Sequence, residues 1–126
     1  MRPKLSKTEE QLMQHIWALK KAYMKDIIEL YNDPKPATTT IATLLKRMAD
    51  KKYIAYEQHG RNREYYPLIE KAEYSKIELQ SFVKNFFGNS TGQFASFFTR
   101  NSDMTEEQLK ELRNIIDSEI SKKSES

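Results

Sequence analysis

The chain has 126 residues, of which 38% are hydrophobic and 31% charged, with a net charge of +3 and no cysteine. This length suits one domain, or a compact module of about 70 residues with a short appendage, and leaves little material for a large buried pocket. No segment approaches the roughly 20 apolar residues of a membrane span or the pattern of a signal peptide, so we expect a cytoplasmic protein without membrane insertion.

The first predicted helix begins at a capping box. Ser6 and Glu9 have the S-x-x-E spacing in which each residue bonds the backbone of the other, and apolar residues follow at helical intervals until near Lys20. A second helix is predicted over the apolar set that ends at Tyr31. It is short, because the segment 32–36 contains two prolines, which lack a backbone donor and stop a helix.

A third helix and a β-hairpin complete the N-terminal half. The helix has Ile41, Leu44, Leu45 and Met48 on one buried face, and a threonine hydroxyl just before them is available as its N-cap. Residues 53–59 and 63–66 are rich in β-formers, with turn residues at 60–62 between them. Their tyrosines are interpreted as cross-strand packing. Three short helices followed by a hairpin is the order of a winged helix-turn-helix.

The C-terminal half is predicted to be helical, with a second capping box from Thr105 to Gln108 opening its last helix, and to associate with a second copy. All six phenylalanines lie between Phe82 and Phe98, and about 45 residues of isolated helix cannot cover them all. We favour a homodimer over folding back onto the N-terminal core, because a two-fold dimer presents two recognition helices. The predicted dimerisation residues are Leu79, Phe82, Val83, Phe86, Phe87, Phe94, Phe97, Phe98, Leu109, Leu112 and Ile116.

The predicted fold class is therefore mainly α with a small β-hairpin (α+β). It comprises a winged-helix DNA-binding domain over 1–70 and a helical dimerisation domain over 71–126. Charge supports this division, since residues 1–66 carry 13 Lys and Arg against 8 Asp and Glu, whereas residues 67–126 carry 8 against 10. A basic first half is typical of a nucleic-acid-binding module.

Successive residues of a helix are 100° apart, and this spacing predicts a face of small, polar and basic residues on the third helix, opposite its buried stripe. Such side chains suit the major groove, and arginines at the hairpin tip suit a flanking phosphate or the minor groove. The predicted contacts to double-stranded DNA are Thr38, Thr39, Thr40, Ala42, Thr43, Lys46, Arg47, Arg61 and Arg63, with Lys51 and Lys52 as further phosphate candidates. The alternatives are an ordinary solvated face, or a winged-helix module that binds a partner protein.

Catalysis finds no support in the sequence. There is no cysteine nucleophile, no G-x-S-x-G turn, and too few glycines for a phosphate-binding loop. His15 and His59 fall on different predicted elements without an obvious third ligand, and His15 is interpreted as helix surface or core edge. We therefore expect no enzyme, no cofactor and no metal site.

The chain resembles the BlaI/MecI penicillinase-repressor family (BlaI/MecI/CopY transcriptional regulators) nearly end to end. The order and spacing of several short stretches carry the resemblance. These stretches are residues 5–9 with Met13 and Ile16-Trp17, then 26–28, 40–48, 51–54, 63–68 and 106–112.

The resemblance implies a homodimeric repressor that binds a palindromic operator through the third helix and the wing, and dimerises through its C-terminal helices. It also implies release from DNA when a membrane-bound β-lactam-sensing protease triggers cleavage. The penicillinase branch is cut at an Asn-Phe bond, and the corresponding pair here is Phe97-Phe98. Copper sensing through the C-terminal cysteine cluster of the copper-responsive branch is excluded, because this chain has no cysteine.

Overall fold

A computed structural model describes residues 2–125 of the chain and divides it into two compact units, one up to Lys76 and one from Ile77 onward. The elements in chain order are α1 (Lys7–Leu19), β1 (Ala22–Tyr23), α2 (Met24–Glu29), α3 (Thr38–Asp50), β2 (Ile54–His59), β3 (Asn62–Pro67), α4 (Lys71–Phe87), α5 (Thr91–Asn101) and α6 (Glu106–Ser124). None of the helices within the described range is both long and apolar enough to cross a membrane.

The first unit is a winged-helix fold built around one apolar core. The predicted capping box starts α1, with the Ser6 N–H donating to Glu9 Oε1 at 2.7 Å and the Glu9 N–H donating to Ser6 Oγ at 3.2 Å. The core consists of the apolar stripes of α1 and α3 with residues of α2 and the sheet. Trp17 donates to the carbonyl of Ile69 at 2.9 Å, and its ring contacts Tyr74 in α4. The beginning of α4 therefore belongs to this unit.

The sheet has three antiparallel strands in the order β1-β3-β2, one more than the predicted hairpin. The additional strand is the pair Ala22–Tyr23, which pairs with Tyr65 and Glu64 of β3. The hairpin turn contains two residues, Gly60 and Arg61, rather than three, and Gly60 takes a φ of 63° that a side chain would strain. The predicted tyrosine packing is confirmed for Tyr56 and Tyr65, which lie opposite each other with ring centroids 5.5 Å apart.

Helices α2 and α3 differ in detail from the sequence prediction. α2 ends at Glu29, and the carbonyls of Glu29 and Tyr31 accept hydrogen bonds from Lys35 Nζ. α3 is capped by Ala37, whose side chain offers no hydrogen bond, so the prediction of a threonine N-cap is wrong. The helix begins directly after the proline-containing segment, and this places the three threonines inside its first turn instead of before it.

The second unit contains the rest of α4 together with α5 and α6. Aromatic rings connect α4 and α5, with centroid distances of 6.2 Å between Phe82 and Phe94 and 5.4 Å between Phe87 and Phe97. The predicted capping box at the start of α6 is present between Thr105 and Gln108. Among the described residues from 77 to 125, however, no side chain is buried. This unit therefore has no closed apolar core of its own.

Candidate nucleic-acid interface

The outward face of α3 is polar, as the helical periodicity predicts. Ile41, Leu44, Leu45 and Met48 are buried in the core. All seven predicted DNA-contacting residues of this helix are exposed, namely Thr38, Thr39, Thr40, Ala42, Thr43, Lys46 and Arg47. The helix thus places small hydroxyl-bearing and cationic side chains side by side on one accessible surface.

Local interactions orient two of these side chains. The Thr43 hydroxyl donates to the carbonyl of Thr39 at 3.0 Å, so its methyl group and the acceptor side of the oxygen stay available. Lys46 lies 3.5 Å from Asp50 in an ion pair whose partners are both largely exposed. Such a pair contributes about 0.5 kcal/mol, so a phosphate or a guanine can displace Asp50 from Lys46.

The N-terminal end of α3 carries the three consecutive threonines. No side chain of the described residues caps this end, and the first backbone bonds of the helix run from Thr40 and Ile41 to the carbonyl of Ala37. Backbone N–H groups at the beginning of a helix favour a negative charge, because the helix dipole is positive there. The exposed threonine hydroxyls add further donors to the same end.

The hairpin of β2 and β3 forms the wing, and its two predicted arginines differ in their surroundings. Arg61 occupies the turn and is exposed. The guanidinium of Arg63 lies 4.4 Å from the ring centroid of Tyr56, which holds it against the sheet by a cation–π contact. Gln58 Nε2 donates to the carbonyl of Gly60 at 3.0 Å and braces the turn.

A groove of about 1020 Å³ lies between α3 and the sheet. Its charged lining comes from Lys25, Lys46, Arg61 and Arg63, with Asp50 as the acidic residue. The groove therefore brings the predicted helix residue Lys46 together with both predicted wing arginines. The sequence analysis missed Lys25, which belongs to α2, because an outward face was derived for the third helix alone.

Lys51, a further phosphate candidate of the sequence analysis, forms an ion pair within the first unit. Its Nζ lies 2.6 Å from Glu9 Oε1 and 3.0 Å from the carbonyl of Lys4, and Glu9 itself is only 2% exposed. Burial by itself raises the pKa of Glu9, but the hydrogen bonds from Lys51 and Ser6 outweigh it and lower the pKa below its ordinary value. Lys52 is exposed, and its carbonyl accepts a hydrogen bond from Arg2.

The contacts of Lys51 fix the end of α3 relative to α1. They are joined by the Tyr53 hydroxyl, which donates to the carbonyl of Pro3 at 2.9 Å. Since α3 carries the polar outward face, these bonds position the whole candidate interface. The charge of Lys51 therefore supports the surface from behind and is not part of it.

The predicted dimerisation residues all lie on α4, α5 and α6, and most of them are exposed. Phe86 is 72% exposed and Phe97 51%. Leu79, Phe82, Phe98, Leu109 and Ile116 are also exposed, whereas Val83, Phe87, Phe94 and Leu112 are half-buried. The structure also exposes Ile77, Ile115 and Ile120, which are not among the predicted dimerisation residues.

The remaining predicted positions are the candidate cleavage pair and His15. Phe97 and Phe98, the candidate cleavage pair, are in the interior of α5. His15 is half-buried at the edge of the core, where its ring centroid is 4.5 Å from that of Tyr31, and burial lowers its pKa. The interpretation of His15 as part of the core edge is confirmed.

Comparison with known proteins identifies the family. The family model described as Penicillinase repressor matches residues 5–118. An uncharacterized 16.5 kDa protein of the ptsI 3′ region of Latilactobacillus sakei is 21% identical over 113 residues, which cover 89% of this chain and 77% of that protein.

Solved structures of repressors are also similar. The solution structure of the DNA-binding domain of the repressor BlaI is 28% identical, with a TM-score of 0.52, and the match covers 59% of this chain and 92% of that domain. The CopR repressor structure is 30% identical with a TM-score of 0.45, over 54% of this chain and all of that one. The similarity to the BlaI DNA-binding domain agrees with the winged-helix fold of the first unit. The chain belongs to the penicillinase repressor family, a family of DNA-binding transcriptional repressors rather than of enzymes.

Proposed function

We propose that the protein is a homodimeric, sequence-specific repressor that binds a palindromic operator in the cytoplasm. The observation that carries the proposal is the cationic groove between α3 and the wing, where Lys46, Arg61 and Arg63 line one surface. A duplex presents its phosphates on both sides of the major groove. A helix inserted in the major groove of the DNA, with a basic wing beside it, therefore contacts base edges and backbone phosphates at the same time.

Base recognition is assigned to the middle of α3. The methyl groups of Ala42 and Thr43 are of the size that contacts the C5-methyl of thymine, and Lys46 or Arg47 can donate to the O6 and N7 atoms of guanine. A single well-formed arginine–guanine pair contributes about 1–3 kcal/mol of discrimination. Thr38, Thr39 and Thr40 are assigned to a phosphate at the uncapped end of the helix.

The wing is assigned to the DNA backbone. Arg61 is exposed at the tip of the hairpin, and Arg63 is oriented by the ring of Tyr56. Contacts of this kind add affinity without reading sequence, and they weaken as salt rises because releasing counterions into a more concentrated solution gains less entropy. The wing contacts then determine the affinity for any duplex, whereas α3 determines which sequence is preferred.

A homodimer explains why no side chain is buried among the described residues of the second unit, 77–125. Its exposed apolar residues lie on every one of its helices, including Phe86, Phe97 and Ile116. Soluble monomers rarely expose a large contiguous apolar patch, and such a patch usually marks a protein–protein interface. A second copy offers the same apolar faces, and a two-fold axis would place two copies of α3 on half-sites about 34 Å, or a multiple of that distance, apart.

Release from the operator by proteolysis is part of the same proposal and concerns Phe97-Phe98. A peptide bond inside a helix has to unwind before it enters the extended binding cleft of a protease. Because α5 contains no buried residue and is held mainly by ring contacts such as Phe87–Phe97, local unwinding there is expected to be inexpensive. A regulatory protease acting at this bond would separate α6 from the rest of the chain.

The proposal is tested by selecting bound duplexes from a random library with the purified protein at physiological salt. We expect a palindromic consensus. Arg47→Ala should weaken binding to it by roughly tenfold to a hundredfold and relax discrimination at one base pair of each half-site. The matched control is Lys7→Ala, since Lys7 is an exposed cation in the first turn of α1.

Two results would contradict the proposal. Binding that depends steeply on salt but recovers no consensus would favour a winged-helix module that contacts a partner protein. An equal loss of affinity in Arg47→Ala and Lys7→Ala would show that α3 contributes charge alone.

A further inference from the structure

We infer that Glu57, His59 and Glu64 form a binding site for a divalent transition-metal ion, with Zn²⁺ as the best fit, on the outer face of the wing. One ligand atom from each of the three residues lies within 4.8 Å of the others. This inference concerns a surface that the proposed DNA contacts do not use, so it stands independently of the proposed function.

The register of the hairpin brings the three side chains together. Glu57 lies directly opposite Glu64, and His59 follows Glu57 by two residues along the same strand. Side chains two apart on a strand, and those directly opposite across an antiparallel pair, project from the same face of a sheet. All three residues therefore share one face of the wing.

That face is the reverse of the one that meets α3. Tyr56 and Arg63, which line the groove, alternate with Glu57 and Glu64 along their strands and so project from the opposite face. Tyr23 and Asn62 lie by register on the face of Glu64 and His59 and also line the groove, so the two faces meet at its edge. The wing is thus cationic on one side and acidic on the other.

The distances match those of a metal site. His59 Nε2 lies 3.3 Å from Glu64 Oε1 and 3.5 Å from Glu57 Oε2. Ligand atoms bound to Zn²⁺ at about 2.1 Å in tetrahedral geometry are about 3.4 Å from one another. The imidazole and each carboxylate are therefore already at the separation that a common ion would impose, and water can complete the coordination sphere.

The two glutamates give a physical reason for a cation at this place. Like charges directly opposite each other across a strand pair are destabilising. Lys21 Nζ lies 3.9 Å from Glu57, but it contacts Oε1 and leaves Oε2 directed toward His59. A doubly charged ion between the carboxylates would neutralise both charges, whereas the exposed lysine pair offsets only a small part of the repulsion.

The nature of the donors selects the metal. Ca²⁺ and Mg²⁺ prefer oxygen-only sites, whereas imidazole nitrogen together with carboxylate oxygen suits Zn²⁺ and neighbouring first-row ions. The sequence analysis expected no metal site, because the second and third ligands inferred here are carboxylates that only the strand register brings to His59.

The test is titration of the full chain, without an affinity tag, with ZnCl₂ by calorimetry. We expect saturable binding of one ion per chain, weakened at least tenfold in His59→Gln and in Glu64→Gln. Glu29→Gln removes an exposed carboxylate that is not part of the cluster, and this variant should bind Zn²⁺ as the wild type does. All of these side chains except that of Glu64 are exposed, so the variants should fold, and circular dichroism verifies this for each.

The two histidines supply an internal control by nuclear magnetic resonance. On addition of Zn²⁺, the imidazole signals of His59 should shift while those of His15, in α1, stay in place. Three results would overturn the inference: no saturation below millimolar Zn²⁺, unchanged affinity in His59→Gln, or equal shifts at both histidines.

Discussion

Replacing Phe86 with aspartate should separate the proposed dimer. Phe86 is 72% exposed in the single chain, which leaves about 150 Å² of apolar surface for a partner to cover. At about 25 cal/mol per Å² this area contributes about 3.5 kcal/mol, and a two-fold interface contains the residue twice. Because a partner covers only part of each ring, we expect Phe86→Asp to raise the dissociation constant of the dimer between a hundredfold and about 10⁵-fold.

Sedimentation velocity over a concentration series measures this constant directly. The matched control is Asn85→Asp, which adds the same charge at the neighbouring exposed position on another side of α4 and should leave the dimer intact. The reasoning would be refuted if Phe86→Asp dimerised as tightly as the wild type, or if both variants dissociated alike. Thermal unfolding of the winged-helix unit should be unchanged in Phe86→Asp, since Phe86 is not one of the residues that form its core.

Three further outcomes follow from the first unit. Lys51→Ala should lower the free energy of unfolding by about 3 kcal/mol, measured by urea denaturation, because it leaves the buried carboxylate of Glu9 without its cation. Because the pKa of Glu9 is lowered, its ionised carboxylate stabilises the folded protein at pH values above the ordinary pKa of a glutamate. This stabilisation is lost as pH falls through the lowered pKa. Glu9→Gln should therefore lose less stability than the wild type between neutral pH and about pH 3, and an identical pH profile would contradict the assignment. Arg61→Ala should reduce the salt dependence of DNA binding by about one counterion without changing the preferred sequence, which fluorescence anisotropy at several salt concentrations can measure.

The helices of this protein could be predicted because their signals are local. Ser6 and Thr105 begin capping boxes whose partner lies three residues ahead, and the structure confirms both. The outward face of α3 follows from the 100° step between residues and from four buried apolar positions. Gly60 marks the turn of the hairpin because its positive φ excludes most other residues.

Features that depend on distant parts of the chain could not be predicted. The strand Ala22–Tyr23 is too short to show any periodicity and exists only because β3 lies beside it. A lysine is expected to be solvated at the surface, but Lys51 forms an ion pair with the buried carboxylate of Glu9, 42 residues earlier. The cluster around His59 requires the register of two strands, which the sequence does not specify until the length of the turn is known.

The lack of a buried core in the second unit has a consequence for the dose response of the repressor. If its helices acquire a core only by pairing, dimerisation and degradation compete for each newly made chain. Operator occupancy then rises more steeply than the first power of protein concentration. A modest fall in the amount of protein, by dilution during growth or by cutting a fraction of the chains, would release the operator without any change in the affinity of α3 for its bases.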